Sequence, residues 1–219
     1  MVPFTQLTGI AAPLPESDID TDIIFPARFL LLPDKRGLGE HLFNERRRGA
    51  GGPRFVLDSP PFNRASILVS GANFGSGSSR EHAVWAIADF GIRVIIAPSF
   101  GEIFFNNCVK NGVLPIVMAD RAHERTMKAA ISGAPLSIDL EAQTASLPSG
   151  ESIPFGLDSY ARRMLLLGLD EIGMILAEDL TDIVAFEARR REEAPWSGLE
   201  HGRLEFLNHP LPGDARDDR

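Results

Sequence analysis

The residues best suited to chemistry in this chain lie in one short stretch, Gly-Ala-Asn-Phe-Gly-Ser-Gly-Ser-Ser-Arg-Glu-His-Ala, at residues 71–83. Arg80 carries a planar guanidinium that can hold a carboxylate through two parallel hydrogen bonds. Ser78 and Ser79 place two hydroxyl groups directly before it. The glycines among these residues allow the backbone to turn tightly and to approach a ligand. The stretch therefore predicts a binding site for a small carboxylate.

The residues on either side predict the elements that position this loop. Ile67, Leu68 and Val69 form a short apolar run, which is typical of a buried strand. Ser78 is predicted to open a helix, because Ser78 and Glu81 have the spacing of a capping box. A strand, a glycine-rich loop and a helix N-terminus together favour an anion, since free N–H groups and the helix dipole point at the ligand.

Two other glycine-rich motifs do not match this loop. A phosphate-binding P-loop needs Gly-Lys followed by Ser or Thr, and Gly77 is followed by Ser78. A dinucleotide fingerprint needs Gly-x-Gly-x-x-Gly, whereas the order here is Gly-x-x-x-Gly-x-Gly. The remaining alternative is an ordinary capped helix after a glycine-rich turn. The residues alone leave that alternative and the carboxylate site both open.

Two motifs, taken together, resemble a known family. Residues 71–83 resemble the signature of the swivel domain in the aconitase superfamily, and Asp-Thr-Asp-Ile-Ile-Phe-Pro-Ala-Arg-Phe-Leu, residues 20–30, resembles the N-terminal motif of that domain. The length and the motif order are similar to those of the free-standing small subunits of 3-isopropylmalate dehydratases. The resemblance covers about residues 1–190.

This resemblance implies roles for particular residues. Ser78 would be the catalytic base, and Ser79 and Arg80 would bind a substrate carboxylate. Asp22 and Arg28 would line the same pocket, with Asp22 as an orienting group. His82 is an alternative acid or base because histidine titrates near neutrality, but the resemblance gives it a structural position in the helix.

The leucines after Arg28 are predicted to select the substrate. Leu31 and Leu32 lie in a loop that the resemblance links to substrate choice, and this loop carries no cation. An unpaired carboxylate would be costly to desolvate there, so an apolar loop suits an isopropyl group. The alternative is that these leucines are simply part of the core.

The reaction that the resemblance implies is the interconversion of 2-isopropylmalate and 3-isopropylmalate by dehydration and rehydration, a hydro-lyase step of leucine biosynthesis. The superfamily uses a 4Fe–4S cluster as Lewis acid, held by cysteines of another domain. One alternative is the small subunit of a related hydro-lyase acting on homoaconitate, citraconate or dimethylmalate. An alternative of a different class is a non-catalytic module that binds anions.

The composition of the chain excludes some classes of binding partner and indicates the cellular compartment. The chain has 219 residues with a net charge of −8, which argues against nucleic acid and anionic membranes as partners. No apolar run approaches the ~20 residues of a membrane span, and no signal peptide is apparent. The only cysteine, Cys108, fits a reducing, cytoplasmic compartment and excludes a self-contained cluster, which needs several thiolates. We therefore expect no metal on this chain and a separate large subunit that carries the cluster.

Apolar runs alternate with helical patterns through the middle of the chain and predict an α/β core. A hairpin pattern follows at residues 135–156, and helices are predicted at 159–167 and 170–191. With the resemblance, the expected fold is a three-layer swivelling β/β/α domain over residues 1–193, with a small antiparallel hairpin region and C-terminal helices. Residues 194–219 are expected to form a flexible tail.

Overall fold

A mixed seven-stranded sheet runs through the computed structural model, which describes residues 1–32, 34–48, 54–118, 120–194 and 196. Its strands are β1 (Gln6–Leu14), β2 (Ile67–Ser70), β3 (Val94–Ala97), β4 (Leu114–Val117), β5 (Pro135–Asp139), β6 (Thr144–Ser146) and β7 (Ser152–Pro154). The order across the sheet is β4-β3-β2-β1-β5-β6-β7. The strand β1 pairs in parallel with β2 and antiparallel with β5, so it joins a parallel half to an antiparallel half.

Helices follow the strands in the order that the sequence predicts. They are α1 (Thr21–Ile24), α2 (Asn44–Arg48), α3 (Glu81–Phe90), α4 (Glu102–Lys110), α5 (Asp120–Ile131), α6 (Ser159–Leu167) and α7 (Glu171–Glu193). Asp158 caps α6 by accepting from the N–H groups of Tyr160 and Ala161, and Gly168 ends it in a left-handed conformation.

The parallel half of the sheet is buried on both faces. Leu68 and Ile95 belong to the core cluster that also contains the apolar side of α3. Ile67 and Ile96 are also fully buried, although successive side chains of a strand point to opposite faces. Helix α5 contacts β1 and β2. Helices on both faces explain why these strands are continuous apolar runs rather than alternating ones.

The antiparallel half has one buried face. Leu136 and Ile138 of β5 are buried between more exposed neighbours, and Ala145 and Ile153 continue the buried face on β6 and β7. This alternation is the pattern that predicted hairpins at residues 135–156, and the prediction is confirmed.

A long connection between β1 and β2 carries α1, α2 and four short 3₁₀ helices, at Ala27–Phe29, Leu38–His41, Val56–Asp58 and Phe62–Arg64. The short apolar run Phe55-Val56-Leu57 predicts a strand at residues 55–58, and this prediction is wrong, because the structure has a 3₁₀ helix there. The Ser59 N–H bonds the Val56 carbonyl, and the ring of Phe55 packs 5.3 Å from that of Phe43. Phe55 is partly buried and packs against the core cluster, and this packing favours a turn over an extended strand. Gly49, Gly51, Gly52 and Pro53 predict a break in this connection, and they lie outside the described residues.

The chain divides into two compact units, Met1–Ile172 and Gly173–Arg219. The first contains the sheet and α1 to α6. The second contains most of α7, whose apolar residues Ile175, Leu176 and Leu180 are about half exposed. Apart from Ala194 and Trp196, the predicted tail lies outside the described residues. Among the described residues, no helix is both long enough and apolar enough to cross a membrane.

Candidate active site

The two motifs, whose middle residues are 52 positions apart in the chain, meet at the carboxyl ends of β1 and β2. Asp20 forms an isolated parallel bridge with Ser76. The Thr21 N–H donates to the Ser76 carbonyl at 2.9 Å, and the Thr21 hydroxyl donates to the Ser78 carbonyl at 3.0 Å. The fold therefore fixes the N-terminal motif directly against the glycine-rich loop.

Asp22 and Arg80 form an ion pair between the Asp22 carboxylate and Nη1 of the guanidinium. The Arg80 side chain is largely buried, with 16% of its surface exposed, whereas that of Asp22 is 53% exposed. Burial restricts the rotamers of Arg80, and the carboxylate fixes one side of its guanidinium. The structure thus brings together two of the residues that the sequence assigns to substrate binding.

The three aspartates at spacing two do not share one face of a strand. Asp18 adopts φ of 58° and accepts a hydrogen bond from the Asn73 amide at 2.8 Å. Asp20 caps α1 by accepting from the Ile23 N–H at 2.7 Å. Within the described residues, Asp22 is the one of the three that pairs with a cation, because the chain turns into α1 after Asp20 and directs each carboxylate differently.

The glycine-rich loop depends on glycine for two different reasons. Gly75 has φ of +73°, and a Cβ at this position would clash with the ring of Phe104 on α4. Gly77 has φ of +91°, but a Cβ there would only meet Asp20 at 3.4 Å and the Thr21 hydroxyl at 3.8 Å. Gly75 is therefore required by both packing and backbone conformation, and Gly77 by backbone conformation.

The predicted capping box is wrong, because α3 begins at Glu81 with Arg80 as its N-cap. Ser78 lies two residues before the cap, and no side chain makes a capping hydrogen bond there. The Glu81 carboxylate instead accepts from the Asn111 side-chain amide at 2.7 Å. The Ala83 N–H donates to the Arg80 carbonyl at 3.2 Å, whereas the N–H groups of Glu81 and His82 have no capping side chain among the described residues and remain suited to an anion.

His82 and Trp85 pack within and against α3 and do not belong to the glycine-rich loop before it. The His82 ring lies 4.4 Å from the Trp85 ring and stacks on Phe25 at 6.2 Å. The Trp85 indole N–H donates to the Asn111 side chain at 2.9 Å. These contacts favour the structural position that the resemblance gives His82.

Arg28 contacts other partners than the Asp22–Arg80 pair. Its guanidinium forms an ion pair with Glu45 and lies 4.6 Å from the centre of the Phe29 ring. The hydrogen bond from Arg28 lowers the pKa of Glu45. In the part of the chain that the structure describes, no hydrogen bond or ion pair joins Arg28 to Ser78 or Arg80.

Leu31 and Leu32 do not belong to the core. Leu31 is 90% exposed and Leu32 is 38% exposed, whereas the preceding Leu30 packs against the core cluster. The alternative that these two leucines are core residues is therefore wrong. Their side chains are free in this chain to contact a substrate or another subunit.

The two serines before Arg80 lie at the surface of the chain. Ser78 and Ser79 are both exposed. A cavity of about 380 Å³ exists elsewhere, between α4 and α6, and its lining includes Asn106, Tyr160 and Met164 but no residue of either motif. In the part of the chain that the structure describes, both serine side chains therefore face solvent.

Comparison with known proteins places this arrangement in a family. The model of the aconitase C-terminal domain matches residues 1–121, and the LeuD_N model matches residues 124–159. The 3-isopropylmalate dehydratase small subunits of Rhodospirillum centenum and Dinoroseobacter shibae are each 50% identical to the chain over 90% of its length, and the matches cover 99% and 100% of those proteins. The chain belongs to the 3-isopropylmalate dehydratase small subunits.

A solved structure supports the same assignment. The 3-isopropylmalate dehydratase (leuD) of Methanocaldococcus jannaschii aligns with a TM-score of 0.60 at 25% identity, over 82% of this chain and 99% of that one. The family predicted from the two motifs and the α/β swivel fold of the aconitase superfamily are both confirmed.

The residues of this chain can be tested for their fit to the iron–sulfur cluster that the aconitase superfamily uses. Among the described residues, no group of three His, Cys, Asp or Glu side chains is placed to hold a metal ion. Cys108 is fully buried in α4, and burial raises the pKa of its thiol. A buried neutral thiol without further cysteines does not fit a 4Fe–4S cluster.

Two residues near the site escaped prediction from the sequence. Thr21 holds the Ser78 carbonyl, and Asn111 joins Glu81 to Trp85. The only signal at Asn111 in the sequence is that of a helix end, and Asn111 is indeed the C-cap of α4. Thr21 stands between two aspartates of a motif, but its contact is with a residue 57 positions away. No local pattern predicts such a contact.

Proposed function

We propose that this chain is the small subunit of a 3-isopropylmalate dehydratase and provides the base and the carboxylate-binding groups of its active site. The reaction interconverts 2-isopropylmalate and 3-isopropylmalate through loss and return of water, as in leucine biosynthesis. The relatives that support this proposal are named 3-isopropylmalate dehydratase small subunit, and the matches to this chain cover 99% to 100% of their length.

The observation that carries the assignment of residues is the Asp22–Arg80 ion pair. Arg80 uses Nη1 for Asp22, and its other two nitrogens make no hydrogen bond among the described residues. A guanidinium has five N–H donors, so Arg80 can still hold a substrate carboxylate with two parallel hydrogen bonds. Asp22 fixes the orientation of the guanidinium before the substrate arrives, which reduces the entropy lost on binding.

Ser78 is the proposed base. Its hydroxyl lies two residues before Arg80, so a carboxylate held by Arg80 brings the neighbouring carbon close to it. Ser78, as the alkoxide, takes the proton from that carbon while hydroxide leaves the adjacent carbon. Hydroxide then adds to the carbon that lost the proton, and Ser78 returns the proton to the other carbon, which regenerates the alkoxide. Ser79 and the uncapped N–H groups at the start of α3 bind the negative charge of the carboxylate.

Leu31 and Leu32 are the proposed contacts of the isopropyl group, and Arg28 is a proposed cation at the edge of the site. The exposure of both leucines supports this, since a buried side chain could not meet the substrate. Arg28 is paired with an exposed carboxylate, Glu45, and such a pair contributes little to stability. Arg28 can therefore exchange Glu45 for substrate at little cost.

The partner is a large subunit, which we propose carries the 4Fe–4S cluster as the Lewis acid of the reaction. The open surface around Ser78 and the misfit between Cys108 and a cluster support this arrangement. The unpaired, buried Cys108 also agrees with a reducing cytoplasmic location. We expect the isolated chain to be folded, colourless and inactive, with turnover only after mixing with the large subunit.

The Ser78→Ala variant in the reconstituted complex tests the assignment. Loss of a general base is expected to lower kcat by at least ~100-fold. Because Ser78 is exposed and is not the helix cap, its loss should change the free energy of unfolding by less than ~0.5 kcal/mol. Ser149→Ala, in the hairpin after β6, is the matched control and should change neither quantity.

The reconstitution assay also distinguishes an enzyme subunit from a non-catalytic module that binds anions. A module would bind a small dicarboxylate without the large subunit, as measured by calorimetry, and the mixed subunits would show no turnover. If Ser78→Ala retains near-normal kcat in an assembled complex, Ser78 is not the base and the assignment of this loop fails.

A further inference from the structure

We propose that Thr21 is a positioning residue of the active site, which sets the orientation of Ser78 through its side-chain hydroxyl. The inference rests on the proposed function of Ser78 and adds a residue to which the motifs assign no role. Thr21 acts on the backbone of the reactive loop and does not touch the substrate.

The geometry ties Thr21 to both ends of the segment that contains Ser78. Its N–H donates to the Ser76 carbonyl at 2.9 Å, and its hydroxyl donates to the Ser78 carbonyl at 3.0 Å. Thr21 itself is 2% exposed and is one of the few buried polar residues of the chain. A buried hydroxyl of this kind is costly unless its hydrogen bond is made, so the bond is a defined feature of the loop.

Little else restrains the carbonyl of Ser78. Among the described residues, the Thr21 hydroxyl is its only hydrogen-bond donor. Gly77, directly before it, has φ of +91° and no side chain to pack. Ser78 and Ser79 are exposed, and regular helix begins only at Glu81. Without the Thr21 hydroxyl, the peptide after Ser78 can rotate and move the reactive hydroxyl.

Positioning of Ser78 and binding of the substrate depend on two different residues, Thr21 and Asp22. Asp22 holds Arg80, while Thr21 holds Ser78, so two successive residues fix two successive functions of the loop. Loss of the Thr21 hydroxyl leaves the Asp22–Arg80 pair in place. We therefore expect kcat to fall while KM for isopropylmalate stays nearly unchanged.

The experiment compares Thr21→Val, Thr21→Ala and Thr21→Ser in the complex reconstituted with the large subunit. Valine matches threonine in shape but cannot donate, and serine restores the hydroxyl. Since displacement of a reacting group by ~1 Å can cost ~100-fold in rate, Thr21→Val should lower kcat by ~10- to 100-fold. Thr21→Ser should return kcat to within about 3-fold of the unmodified complex, a rescue that follows from the restored donor.

Thr126 provides the matched control. It is also a fully buried threonine, and its hydroxyl donates to the Ala122 carbonyl within α5 at 2.9 Å. Thr126→Val removes a comparable buried hydrogen bond away from the reactive loop. It should lower the melting temperature as Thr21→Val does, without changing kcat.

Each outcome decides the proposal. If Thr21→Val keeps normal kcat, or if Thr21→Ser fails to restore it, Thr21 does not position Ser78. A rise in KM equal to the fall in kcat also overturns the proposal, because it indicates damage to substrate binding. If Thr21→Val does not fold, Thr21→Ala and Thr21→Ser are compared instead. A lower kcat in Thr21→Ala than in Thr21→Ser supports the proposal, and equal kcat values overturn it. Ser78→Ala, assayed in parallel, shows separately whether the base assignment itself fails.

Discussion

The exposed leucine after Arg28 offers the sharpest test of substrate choice. Leu31 is 90% exposed, so Leu31→Arg should alter the free energy of unfolding by no more than ~0.5 kcal/mol. In the complex, the proposed contact buries the three carbons of an isopropyl group, worth roughly 2 kcal/mol at ~0.8 kcal/mol per carbon. Loss of that contact corresponds to a fall of about 30-fold in kcat/KM for isopropylmalate.

The introduced arginine should also create an activity. A substrate that carries a carboxylate in place of the isopropyl group meets no cation in the leucine loop, and Leu31→Arg supplies one. We therefore expect kcat/KM for a homoaconitate-like tricarboxylate to rise as that for isopropylmalate falls. The measurement is kcat/KM for both substrates in the reconstituted complex, for Leu31→Arg and for Leu32→Arg.

A control variant separates specificity from a general effect of charge. Ile131 ends α5 and is 59% exposed, so Ile131→Arg adds the same charge at another exposed apolar position. Its ratio of the two kcat/KM values should equal that of the unmodified complex. If the ratio is also unchanged in both leucine variants, these leucines do not contact the isopropyl group and the reasoning is refuted.

Three further predictions concern the loop and the core. Arg80→Lys should raise KM for isopropylmalate by at least ~10-fold, because lysine cannot form two parallel hydrogen bonds; steady-state kinetics with unchanged KM would contradict this. Gly75→Ala should cost ~2–4 kcal/mol in urea unfolding, whereas Gly77→Ala, whose added Cβ would meet its neighbours only at ordinary van der Waals distance, should cost only ~1–2 kcal/mol. Equal losses would refute the clash with Phe104. Cys108 is buried and its pKa is raised, so a thiol reagent at pH 8 should label it only after unfolding, and rapid labelling of the native chain would disprove that burial.

The secondary structure was largely predictable because its signals are local. The buried strands β2 and β3 are continuous apolar runs, and the hairpins alternate with period two. The predicted helix at residues 159–167 agrees with α6 residue for residue, since Asp158 and Gly168 provide start and stop signals within a few positions. The prediction failed at residues 55–58, where packing of Phe55 against Phe43 overrides a short apolar run.

The sequence also determined the family, because the two motifs and their order are properties of the chain itself. The assignment of Ser78, Ser79, Arg80, Asp22 and Arg28 rests on that resemblance and stays a prediction. The absence of enough cysteines for a cluster is likewise a matter of composition. None of these conclusions depends on how distant parts of the chain pack.

Only the tertiary structure decided how the site is built. The contacts Thr21–Ser78 and Asp22–Arg80 join residues 57 and 58 positions apart, and they exist because β1 and β2 are parallel neighbours. The start of α3 was mispredicted for the same reason. Ser78 and Glu81 have the spacing of a capping box, but Glu81 bonds Asn111, 30 positions away, and the cap is lost. A local pattern states which hydrogen bonds are possible, and the packing of the folded chain selects those that form.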